Sequence, residues 1–141
     1  MKKKVMLSVK GTQSYMDQEP DAIELVTEGV LENVDDGWKI TYAETELTGM
    51  AGVTTTFLIE PGKITLKRTG KLNSQMVFQE GVTHESLYQM EFGAILISVC
   101  ASRVMADIYP DGGMIDLIYN IELDKTASGT IDYHLDIRPK F

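Results

Sequence analysis

Apolar and polar residues alternate with a period of two along most of the chain, which is the mark of strands buried on one face. The pattern is plainest over residues 37–70, where three strands are separated by glycine-bearing turns. In the first, Trp38, Ile40 and Tyr42 share one face while Lys39 and Thr41 take the other, and the phase continues to Glu44 and Glu46. In the second, Val53, Thr55, Phe57 and Ile59 oppose Thr54, Thr56 and Leu58. Three adjacent threonines favour strand over helix, because β-branching restricts χ1. Glu60-Pro61-Gly62-Lys63 reads as a tight turn, with proline presetting φ and glycine accepting the positive φ that follows. The third strand carries Ile64 and Leu66 on its apolar face, and Arg68 is next in phase. Two neighbouring apolar faces therefore end in charges of opposite sign.

That geometry predicts a contact. If the three strands form a meander, the first and third flank the second and run parallel to each other. Strands lie about 4.8 Å apart, so the flanking pair are about 10 Å apart at the backbone. A Glu44 and an extended Arg68 on the same face can bridge that gap over the small Thr55.

The remaining strands follow from the same period. Val5, Leu7 and Val9 alternate with Met6, Ser8 and Lys10, and a polar linker over residues 13–21 contains Pro20. Ile23, Leu25, Thr27, Gly29 and Leu31 then share a phase, opposite Glu24, Glu28 and Glu32. A glutamate every four residues could decorate a helix, but Val26, Thr27, Gly29 and Val30 suit helix poorly, and Asp35-Asp36-Gly37 is a hairpin signal. Residues 48–52 form a glycine-flanked turn and residues 71–74 a loop. Met76 and Phe78 carry a short strand. His84, Ser86, Tyr88, Met90 and Phe92 then line one face, and Gly93 marks a turn. Ile95, Ile97 and Val99 begin the most hydrophobic strand, whose phase slips near Ser102 to fit Val104, Ala106 and Ile108. A bulge or corner there would explain the slip. Asp111-Gly112-Gly113 is another turn. Ile115, Leu117, Tyr119, Ile121 and Leu123 define one further strand, and Ile131, Tyr133, Leu135 and Ile137 the last.

Nothing in the chain reads as a helix. Nine or ten short-looped strands predict an all-β, antiparallel fold, and closure into a barrel removes the exposed edges. A two-sheet sandwich is the alternative. The length, 141 residues, suits one domain spanning residues 1–141.

Composition narrows the function classes. Hydrophobic residues are 43% and charged residues 24%, which fits a soluble globular protein, and no apolar run approaches the roughly 20 residues of a membrane helix. The basic start of the chain lacks an uninterrupted signal-peptide core, so a cytoplasmic location is expected. A net charge of −8 repels phosphate backbones. Lys2, Lys3 and Lys4 read as a solvated terminus, and Lys63 and Lys67 as two outward lysines, so neither nucleic acid nor membrane is an expected partner. Cys100 is the single cysteine, which rules out an intramolecular disulfide, and it reads as a buried small hydrophobe. His84 and His134 lie too far apart in sequence for a helical metal pair, so no metal and no cofactor are expected.

Several features taken in order resemble a known family. They are Tyr42-Ala43-Glu44, Glu46-Leu47 with Gly49, Thr54-Thr55-Thr56, Arg68-Thr69-Gly70, Phe78 with Gly81, Phe92-Gly93, and Gly113 with Ile115 and Tyr119. Together they are similar to the YwiB-like proteins, uncharacterised bacterial β-barrels related to the calycins, which include the lipocalins. The resemblance runs from the first strand to about Ile137. It implies a lipocalin-like barrel of eight to ten strands and brings no activity with it.

The candidate site is therefore read from the residues. Glu44 and Arg68 could form a polar end to a pocket inside the barrel, or an ion pair that merely closes it. Tyr42, Thr55, Tyr88, Tyr119 and Tyr133 lie on inward faces and would complete a ligand site, though tyrosines pack cores equally well. Met50, Met76, Met90, Met105 and Met114 could supply an adaptable apolar lining. No nucleophile triad or phosphate loop is present, so no catalytic residue is assigned. The leading expectation is a barrel that binds a small, partly apolar molecule. A protein-interaction module with a filled barrel, using outer strands such as that of Glu24 and Glu28, is the competing class, and a homo-oligomer fits either. An enzyme comes third, because one Glu and one Arg supply too few roles.

Overall fold

The computed structural model describes residues 2–15, 21–34, 37–44, 52–71, 73–90, 93–110, 112–123 and 127–139. Among them are ten strands: β1 (Lys2–Tyr15), β2 (Asp21–Val34), β3 (Gly37–Ala43), β4 (Val53–Glu60) and β5 (Lys63–Gly70) in the first half. The second half supplies β6 (Ser74–Phe78), β7 (Thr83–Met90), β8 (Gly93–Tyr109), β9 (Gly112–Leu123) and β10 (Ala127–Pro139). No helix occurs among the described residues. All the strands belong to one antiparallel sheet in the order β6-β5-β4-β3-β2-β1-β10-β9-β8-β7. The order is a meander from β1 to β6 and another from β7 to β10, joined where β1 pairs with β10.

The sheet curls until its two end strands meet. Asn73, just before β6, exchanges backbone hydrogen bonds of 3.1 and 2.9 Å with Gln89 on β7. Inside, the Phe57 ring on β4 lies 5.9 Å from Tyr133 on β10, although three strands separate them along the sheet. Phe78 on β6 lies 4.6 Å from Tyr119 on β9, with six strands between them in the sheet order. The product is a nearly closed barrel with one core running through it.

The period-two pattern accounts for that core strand by strand. Val5, Leu7 and Val9 of β1, Ile40 and Tyr42 of β3, and Val53, Thr55, Phe57 and Ile59 of β4 are all buried. Ile64 and Leu66, Met76 and Phe78, Ile97 and Val99, Ile115 and Leu117, and Leu135 and Ile137 continue it around the barrel. On β2, Leu25, Gly29 and Leu31 face in while Glu24 and Glu28 are exposed, so the glutamates mark the outside of a strand. Pro61 and Gly62 make the tight turn between β4 and β5, Gly62 having φ +74°. Gly70 has φ +121°, and a Cβ there would lie 2.3 Å from the Gly52 carbonyl, so glycine is required where β5 closes onto the start of β4.

The phase slip in β8 is a β-bulge. Its pairing with β9 shifts between Ala101 and Arg103, leaving Ser102 as the extra residue. Glu80 reaches the site of disruption: its Oε1 accepts the Val104 backbone N–H at 3.0 Å.

Several expectations are corrected. β1 runs to Tyr15 and β2 starts at Asp21, because antiparallel pairing of Gln13 with Asp21 carries the ladder through residues that read as linker. Ser74 belongs to β6 and not to a loop, since Arg68 pairs with it. Cys100 is only half-buried; it alternates with the buried Val99 and Ala101 and so takes the outer phase of β8. Of the methionines read as lining, Met76 is buried but Met105 is 50% exposed, because the bulge turns it outward. Met50 lies outside the described residues, as do Glu46, Asp35, Asp36, Phe92, Asp111 and the turn residues 48–51.

Candidate functional site

The polar cluster is assembled by register. Tyr42 pairs with Thr55, Thr55 with Arg68, and Arg68 with Ser74, so one row crosses β3, β4, β5 and β6 on the inner face. Glu44 sits two residues beyond Tyr42 in the same phase, with its backbone N–H donating to the Val53 carbonyl at 2.9 Å. The Glu44 side chain is 1% exposed and that of Arg68 17%. Thr55 Oγ1 donates to Glu44 Oε2 at 2.6 Å, a short, charge-assisted bond. Arg68 Nε lies 3.9 Å from the same oxygen, close enough for an ion pair but beyond hydrogen bonding. Glu44 and Arg68 thus face each other over Thr55.

The arginine is incompletely satisfied. Its Nε is buried and has no hydrogen-bond partner, which is uncommon for a buried donor and costly when the group is charged. A guanidinium presents its donors as a planar fork that suits a carboxylate or another acceptor group. Here that fork sits on the core side of the sheet with one donor unmatched.

Tyr42 of the same row meets Tyr133, which reaches the cluster from β10 across the barrel. Tyr42 and Tyr133 stand side by side, near enough for each phenol to influence the other, and Thr55 lies beside Tyr42 in the row. Burial holds Tyr42 above its ordinary 10.0, and the neighbouring Glu44 carboxylate adds to the rise. Burial also pushes Tyr133 well above 10.0, with Tyr42 beside it contributing. Both phenols therefore stay neutral, as donors, at any physiological pH.

The comparisons with known proteins come to bear on this geometry. A family model described as a domain of unknown function, DUF1934, matches residues 7–137. The chain belongs to this family. The barrel also resembles the crystal structure of the YwiB protein from Bacillus subtilis, with a TM-score of 0.83 at 18% identity, covering 96% of this chain and 92% of that one. At that identity the likeness establishes the fold, and the YwiB-like resemblance read from the sequence agrees with it. No curated protein matches the chain.

Of the residues expected at a site in this DUF1934 chain, Glu44, Thr55, Arg68, Tyr42 and Tyr133 come together. Tyr119 is buried against Phe78 and stands near enough to Tyr133 to influence its ionisation. Tyr88 is on β7, with its side chain outside the described residues. His84 is half-buried and bonds Gln79 at 3.2 Å, away from the cluster. Ser74 was not foreseen: it is 8% exposed and directly opposite Arg68. Its alternation with Met76 and Phe78 was the available signal, hidden by reading Ser as a loop residue. Among the described residues, no group of three or more His, Cys, Asp or Glu side chains is placed to hold a metal ion, and no helix is long and apolar enough to cross a membrane.

The tyrosine pair gives a prediction with a definite sign. Above pH 10 the unfolded chain ionises its phenols while the folded one keeps Tyr42 and Tyr133 protonated. Stability is then fully present below about pH 10 and declines above it, by about 1.4 kcal/mol per pH unit for each retained proton. Urea melts of wild type and Tyr133→Phe at about pH 9 and pH 11 test this. The wild type is expected to lose more stability than the variant between the two; equal losses would show that Tyr133 ionises like an exposed phenol.

Proposed function

We propose that this protein binds a small, partly apolar molecule within its barrel, with Arg68 holding a hydrogen-bond acceptor on that molecule. The observation that carries the reading is the buried Arg68 Nε without a hydrogen-bond partner, on the inner face beside neutral Tyr42 and Tyr133. Phe57 and Tyr119, both near Tyr133, would supply apolar wall beside it, and Phe78 would extend that wall behind Tyr119. A calycin-like mode of binding and a cytoplasmic location belong to the same proposal, supported by the barrel architecture and the net charge of −8. The same acidity argues against nucleic acid as a partner.

The ring contacts across the barrel favour a second reading, an interaction module whose interior is filled. One titration separates the two. An anilinonaphthalene sulfonate dye, which joins an apolar body to an anionic acceptor, is added to wild type and to Arg68→Met. Loss of a charge-assisted bond worth about 1.5–3 kcal/mol predicts dye affinity at least tenfold weaker in the variant. Unchanged far-ultraviolet circular dichroism would confirm that the variant is folded. No binding by wild type, or equal binding by both proteins, would favour the filled barrel.

A further inference from the structure

Besides the end strands β6 and β7, which meet at the Asn73–Gln89 bridge, two strands leave part of an edge unpaired among the described residues. β2 pairs with β3 only from Val30 onward, and β8 pairs with β7 only up to Cys100. Beyond Ala101, β8 continues for residues 103–109 with β9 along one edge and, among the described residues, no strand along the other. An open edge of this length is a template for another strand.

The two edges differ in what self-pairing would bring together. On β2, exposed Glu24 and Glu28 flank exposed Val26, so an antiparallel copy centred on Val26 would set Glu24 against Glu28, like charge against like. Nature's usual protection of an edge is of this kind. On β8, Arg103, Met105 and Asp107 share the outer face, Met105 standing opposite Asp116 and Asp107 opposite Met114 on β9. An antiparallel copy centred on Met105 would set Arg103 against Asp107 at both ends, with the two Met105 side chains meeting at the axis. Centring on Asp107 would oppose that carboxylate to itself, and centring on Ala106 would leave both charges without a counter-charge.

We propose that residues 103–107 of β8 pair with the same residues of a second copy of this chain, antiparallel about a two-fold axis at Met105. The side chains are already disposed for it. Arg103 is about half-exposed; Nε pairs with Asp116 at 3.1 Å, and Nη2 donates to Met105 Sδ at 3.1 Å, which holds the guanidinium beside the axis. Met105 and Tyr109, 50% and 51% exposed, present apolar surface at the edge. The Val104 N–H points to the open side, since Glu80 caps it there, and alternation turns the Ala106 and Ile108 backbone groups the same way. Pairing exchanges the exposed Glu80 cap for ladder bonds between Val104 and Ala106 of the two copies. Two barrels would then share a continuous sheet edge. The inference is independent of any ligand inside.

Charge-swap mixing with sedimentation equilibrium tests it. Wild type is expected to show a reversible monomer–dimer equilibrium. Asp107→Lys alone sets Arg against Lys, and Arg103→Glu alone sets Glu against Asp, so each should weaken dimerisation about tenfold or more. An equimolar mixture restores opposite charges at both ends and should recover the association to within about threefold of wild type. Ala106→Pro, which deletes an edge donor where proline is tolerated, should also dissociate the dimer with its circular dichroism unchanged. A wild type that stays monomeric at every concentration would overturn the proposal and leave the edge to a different partner. So would a dimer indifferent to the single changes, or a mixture that fails to recover.

Discussion

Phe78→Ala is expected to destabilise the protein by about 3–5 kcal/mol, the range for removing a large aromatic from a core that cannot collapse around the space. Three features put it at the high end. The side chain has no exposure, its ring packs against Tyr119 across the barrel, and it lies on β6, the end strand whose return to β7 closes the sheet. Phe78 also pairs with Ile64 on β5, so its loss loosens the pairing that holds β6 in the sheet. Chemical denaturation should show the lower midpoint. A loss below about 1 kcal/mol would mean that the end strands contribute little to the core.

The second large effect concerns the buried ion pair. Arg68→Met should cost about 2–3 kcal/mol, because it leaves the Glu44 carboxylate, 1% exposed, without its cation. Glu44→Gln keeps a group that can accept from Thr55 but strands the guanidinium on the inner face. The double change removes both charges together, so it should be less destabilising than the sum, with a coupling of about 1–2 kcal/mol. The 3.9 Å separation and the partial exposure of Arg68 hold this figure below that of a fully buried, hydrogen-bonded pair. Strictly additive costs would show that the two charges do not sense each other.

Much of this arrangement is legible in the sequence because period two is an unusually direct code. Tyr42, Glu44, Thr55 and Arg68 could be assigned to one face before any pairing was known, and a meander with short turns leaves little freedom in how three consecutive strands align. The slip at Ser102 was legible for the same reason, since a bulge is the single residue that breaks the alternation. Tertiary facts were not. Tyr133 meets Tyr42 and Phe57 only because β10 pairs with β1 and the sheet then curls, a joining of the chain's two ends that no local pattern encodes. Cys100 was misjudged because residue type suggested burial where alternation with Val99 placed it outside. The ends of β1 and β2 were misjudged because polar residues can extend a ladder whose hydrogen bonds are made by backbone alone.

If Arg68 is the receptor for an acceptor group inside the barrel, its Nε–H is the atom that reports it. Nitrogen-15 spectra of the arginine side chains should contain one Nε–H resonance protected from solvent exchange and absent from Arg68→Met. Adding the anilinonaphthalene sulfonate dye should shift that resonance in proportion to the dye bound. A dye that binds while the Arg68 resonance stays in place, or an Arg68 Nε–H that exchanges as freely as those of surface arginines, would show that Arg68 does not receive the ligand.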